Sequence, residues 1–113
     1  MSATSNASAL NKAERRRSPH LLRDVALLVR GESLDHQPFQ EETFSISISV
    51  HGALILLAAK VAVGQRLVLT NPATKSEVEG QVARFGSPYG GLAQVGVEFL
   101  QPALEFWPAE LLH

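Results

Sequence analysis

The chain has 113 residues, enough for one domain with its own core, and carries a net charge of −1. It has no cysteine, which excludes disulfides, thiolate metal sites and cysteine nucleophiles. The charge is unevenly spread: residues 12–30 hold six cations and two anions, while residues 31–113 hold four cations and nine anions. A basic N-terminal segment is thus joined to an acidic body, and it either packs on that body or meets an anionic ligand.

In chain order, the small polar run from Ser2 to Ala9 has no signal-peptide core, and residues 1–13 are expected to form a disordered tail. Asn11 to Arg17 is made mostly of helix formers but is too short to hold as an isolated helix. Ser18-Pro19 then stops any helix, because a residue before proline is pushed toward extended backbone. The arginines therefore sit on a flexible leader ahead of the first strand.

From residue 24 the chain reads as strands and turns. Val25, Leu27 and Val29 alternate, and residues 31–38 read as a polar loop. Phe44-Ser45-Ile46-Ser47-Ile48-Ser49-Val50 then alternates apolar residues with serine, the period of a strand with one buried and one wet face. On that reading Phe44, Ile46, Ile48 and Val50 point inward and the three serines form an outer row. Gly52 leads into the apolar run of residues 53–57, and a strand with Leu67 and Leu69 inward closes at the turn sequence Asn71-Pro72-Ala73-Thr74. Val78, Gly80 and Val82 continue, with Gly80 read as a bulge or close-approach point. A hairpin loop over residues 86–91 leads to Val95, Val97 and Phe99. Short strands at close spacing, with no βαβ alternation, predict an all-β fold, a small six-stranded antiparallel barrel or sandwich. The tail from Pro102 reads as a short helix limited by Pro108, with Leu104, Trp107 and Leu111 capping one end of the barrel.

Little points to catalysis. His20, His36, His51 and His113 have no metal-ligand spacing, no carboxylate pair stands out for acid–base work, and no nucleophile elbow surrounds the serines. The apolar run over residues 53–59 is too short to cross a bilayer and is followed by Lys60, so a soluble, cytoplasmic, non-enzymatic domain is expected. Arg15-Arg16-Arg17 reads either as a solvated basic patch or as a phosphate site, since guanidinium forks meet phosphate oxygens in pairs and can also pair with guanine.

Three stretches taken in order resemble the PilZ domain: Glu14-Arg15-Arg16-Arg17-Ser18-Pro19-His20, then Ser47-Ile48-Ser49-Val50-His51-Gly52, then Val95-Gly96-Val97-Glu98-Phe99. The resemblance covers residues 14–107, leaving 108–113 as a C-terminal tail. It implies a six-stranded antiparallel barrel that binds the bacterial second messenger cyclic di-GMP as a regulatory ligand, with no cofactor or metal. The family's leader motif is Arg-x-x-x-Arg and its barrel motif is Asp/Asn-x-Ser-x-x-Gly. Arg16 matches the first arginine, but His20 stands at the second; Ser49 and Gly52 match, but Ser47 occupies the acidic or amide position.

The ligand set implied by the resemblance is therefore Arg15, Arg16, Arg17, His20, Ser47, Ser49 and Gly52. Histidine is mostly neutral near neutral pH and offers fewer donors than arginine, while a serine hydroxyl cannot accept two guanine N–H groups as a carboxylate can. With no output module in the sequence, the implied function is that of a cyclic di-GMP-responsive adaptor acting on a protein partner. The alternative is a degenerate PilZ-fold interaction module that binds no nucleotide. Nucleic-acid binding is disfavoured, because the body is acidic and lacks interleaved aromatics for stacking.

Overall fold

The structure is a computed structural model, and it describes residues 21–112. Seven strands occur among these residues: β1 (Leu21–Leu22), β2 (Ala26–Glu32), β3 (Pro38–Ser49), β4 (Gly52–Leu57), β5 (Arg66–Asn71), β6 (Ser76–Phe85) and β7 (Ala93–Phe99). All pairings are antiparallel, and the order β3-β2-β5-β6-β7-β4 closes back through β3–β4 into a six-stranded barrel. β1 adds a two-residue pairing to β3, Leu21 with Ile48 and Leu22 with Ser47. Closure leaves none of the six barrel strands as a free edge along its whole length.

The core follows from alternation on each strand. Leu27 and Val29, Ile55 and Leu57, Leu67 and Leu69, and Val95, Val97 and Phe99 are all buried. Phe106 and Trp107 close one end, stacked edge-on against each other and packed against Phe99. The expected helix from Pro102 is absent; residues 104–106 form a turn, and a 3-10 turn over Ala109–Leu112 follows Pro108. Proline's fixed φ suits the start of a helical turn, so Pro108 opens this element rather than limiting one. Trp107 is buried as expected and Leu111 packs partly on the core, but Leu104 is exposed and Phe106 takes its place in the cap.

The loop placed at residues 31–38 is shorter than expected, because β2 runs to Glu32 and β3 begins at Pro38. Gly80 is a close-approach point, since a Cβ there would lie 2.8 Å from the Glu98 carbonyl oxygen. The bulge falls after it, between Val82 and Arg84.

The serine strand departs most from expectation. Phe44 is 55% exposed, whereas Ser45, Ser47 and Ser49 retain only 2%, 8% and 2% exposure. A β-bulge between Ser45 and Ser47 shifts the register against β4 by one residue. Such a bulge moves every later side chain to the opposite face. Before it, Ser45 pairs with core Ile55 and lies on the inner face; after it, core Ile48 pairs with Ala53, which returns Ser47 and Ser49 to the outer wall.

Ser45 is inside because its hydroxyl is consumed locally. It accepts from the Val25 N–H at 2.9 Å and donates to the Arg23 carbonyl at 2.7 Å, bridging the break between β1 and β2. On the other side of β3, ladder bonds to β4 give way to side chains. Thr43 donates to the Leu56 carbonyl at 2.5 Å, and the Glu41 carboxylate accepts from the Ala58 and Ala59 amides at 2.6 and 3.1 Å. The barrel seam is thus completed by two side chains.

Candidate functional site on the outer wall

The β3–β4 turn carries Ser49, Val50, His51 and Gly52, with Ser49 paired to Gly52. The Ser49 hydroxyl accepts from the His51 N–H at 3.2 Å and reaches the Gly52 carbonyl at 3.5 Å, so it is largely spent on holding the turn. Three further bonds anchor this turn to the C-terminal part of the chain. The Phe99 amide donates to the His51 carbonyl at 2.8 Å, the Ala103 amide to the Val50 carbonyl at 2.9 Å, and the Trp107 indole N–H to the Ser49 carbonyl at 2.8 Å. The turn is preorganised by these contacts rather than left to adapt.

Gly52 is required for space. Its φ is not positive, unlike those of Gly64, Gly90 and Gly91, so the turn itself does not demand glycine. A Cβ at residue 52 would lie 2.2 Å from the Val97 carbonyl oxygen on β7. This glycine serves the close approach of β7 rather than the turn's conformation.

Ser47 sits on the same outer face and faces Leu22 on one side and Leu54 on the other. Unlike Ser45 and Ser49, its hydroxyl makes no hydrogen bond among the described residues. Leu21, the first described residue, pairs with Ile48, and Leu22 pairs with Ser47, so the strand that follows the basic segment in sequence lies beside Ser47 and Ser49. Arg15, Arg16, Arg17 and His20 themselves lie outside the described residues. The structure therefore brings together Ser47, Ser49 and Gly52 and places Leu21–Leu22 next to them.

A cleft of about 200 Å³ opens beside the turn, lined by Ser49, His51, Gly52, Leu54, Arg84, Gly96 and Glu98 among others. The His51 Nδ1 atom is buried without a hydrogen-bond partner among the described residues. A buried polar atom in that state costs about 1–3 kcal/mol. The sequence gives Arg84 no role and places His51, Gly96 and Glu98 only within motifs, whereas register puts Arg84 opposite Gly96 and Glu98 opposite Gly52.

No protein-family model matches the chain, and no curated protein matches it significantly. Solved structures do. The Bacillus subtilis inhibitor of motility MotI/DgrA superposes with a TM-score of 0.65 at 20% identity, over 87% of this chain and 48% of that one. The K. pneumonia MrkH–c-di-GMP complex superposes with a TM-score of 0.57 at 16% identity, over 80% of this chain and 46% of that one. The chain thus spans about half the length of each neighbour. No helix among the described residues is long and apolar enough to cross a membrane. The closed six-stranded barrel, its serine–glycine wall and these superpositions together identify the fold as that of a PilZ-like domain.

Proposed function

We propose that this domain is a non-catalytic, cyclic di-GMP-responsive adaptor that signals through a protein partner. The observation that carries this reading is the pairing of Leu21–Leu22, which directly follow the basic segment in sequence, beside an outer wall formed by Ser47, Ser49 and Gly52. Support also comes from the fold neighbours, one an inhibitor of motility and the other solved with c-di-GMP bound. Arg16 and Arg17, with Arg15 beside them, would hold the phosphates bidentately, Ser47 would offer its unpaired hydroxyl to a base, and His20 would donate to a phosphate when protonated. Capture of the ligand would order the leader over the wall and change the surface offered to the partner.

A second reading, an interaction module that binds no nucleotide, is favoured by the serine at position 47 and by Leu22, which stands 77% exposed beside it. The two separate on the leader. If cyclic di-GMP raises the melting midpoint of the wild-type chain and Arg16→Ala abolishes that rise, the ligand reading holds. Absence of any rise at saturating ligand would favour the module.

A further inference from the structure

The acidic group absent at Ser47 has a counterpart across the barrel wall. Glu98 on β7 pairs with Gly52, and Arg84 on β6 pairs with Gly96. Both side chains line the same cleft as Ser49 and His51. Neither makes an ion pair among the described residues, although Arg30 and Arg66 on the same barrel are both paired, with Glu77 and Glu79. An arginine and a glutamate left unpaired at one cleft are groups held ready for something other than each other.

The floor between them is bare backbone. Gly52 and Gly96 contribute no side chains, and a methyl placed on Gly96 would lie 3.0 Å from the Arg84 Cγ and 3.4 and 3.5 Å from its Nε and Cζ. The guanidinium is therefore laid across Gly96, in a position any larger residue there would take away. The β6 bulge between Val82 and Arg84 sets this register. At about 200 Å³ the cleft is smaller than the ~300–1,000 Å³ of typical drug-sized ligand sites, so it suits one planar base rather than a whole dinucleotide.

We propose that Arg84 and Glu98 form a guanine-reading subsite on the barrel wall, which rests on the cyclic di-GMP reading above and assigns its base contacts. Guanine presents O6 and N7 as adjacent acceptors, matching the donor fork of Arg84. Its Watson–Crick edge, which adjoins O6, presents N1–H and the 2-amino group, and a carboxylate is the group that accepts both. Glu98 thereby takes the role that Ser47 cannot fill.

The test is titration of the full chain with cyclic di-GMP and with cyclic di-IMP, whose base keeps O6, N7 and N1–H but lacks the 2-amino group. The wild type is expected to prefer cyclic di-GMP. Glu98→Gln should weaken cyclic di-GMP about tenfold and shrink its preference over cyclic di-IMP, because the carboxylate that accepts two N–H groups is gone. Arg84→Ala should weaken both ligands about tenfold while leaving their ratio intact. Both side chains are exposed, so an unchanged melting midpoint is expected to show that each variant folds. If both variants bind cyclic di-GMP within twofold of wild type, or Glu98→Gln leaves the preference unchanged, the subsite is wrong and the ligand reading stands. A wild-type chain that takes up neither ligand removes both.

Discussion

Serines two residues apart on one strand do opposite work here. Ser45 spans two backbone groups at the β1–β2 break, whereas Ser47 has no internal partner. Ser45→Ala would strand the Val25 N–H and the Arg23 carbonyl, at a cost of about 1–3 kcal/mol, visible as a lower urea midpoint. Ser47→Ala should change stability by no more than about 0.5 kcal/mol, since nothing in the fold depends on its hydroxyl. Gly52→Ala forces a methyl into the Val97 carbonyl and should cost about 1–3 kcal/mol or more, because backbone stands on both sides of the clash. His20 adds a pH signature. If it donates to a phosphate, the bound ligand raises its pKa, so the gain in affinity is present at low pH and lost as pH rises through the bound-state value. Affinity should then climb as pH falls from about 7.5 toward 6, and a dissociation constant that does not move would place His20 outside the site.

At the scale of elements, most strands were legible because one residue in two is apolar and turn residues punctuate them. Leu67 and Leu69 before Asn71-Pro72, and Val95, Val97 and Phe99 after the glycine-rich loop, are buried as their alternation implies. Alternation fixes two faces but not which one is the core, and it cannot show where a bulge exchanges them. Phe44 and Ser45 thus lie on the faces opposite to those their alternation implies, and Ser47 and Ser49 stand on the outer side of the wall but are buried rather than wet, while Ile48 points inward as expected. The seam was equally hidden, since Glu41 and Thr43 look like ordinary polar strand residues until β4 stops pairing with β3. Glu41→Ala should release the Ala58 and Ala59 amides, seen as faster hydrogen exchange at those two positions and a stability loss of about 1 kcal/mol. The cleft escaped sequence reading for a related reason: Arg84 and Glu98 are brought beside Ser49 by cross-strand register, which no linear motif records.

At the scale of the whole molecule, the uneven charge acquires a place. The strand that follows the basic segment in sequence lies beside the serine wall of a barrel whose outer face pairs Arg30 with Glu77 and Arg66 with Glu79. Phosphate capture by leader arginines should weaken as salt rises, whereas apolar docking of a partner on the exposed Leu22 and Phe44 should not. A ligand that binds only the folded chain also stabilises it by about 2.7 kcal/mol at a hundred times its dissociation constant, which links the melting and binding experiments. The most direct measurement is calorimetric titration of the chain with cyclic di-GMP. Saturable heat with a dissociation constant in or below the micromolar range, lost in Arg16→Ala, is the expected result; absence of heat up to high micromolar ligand would contradict the proposed function.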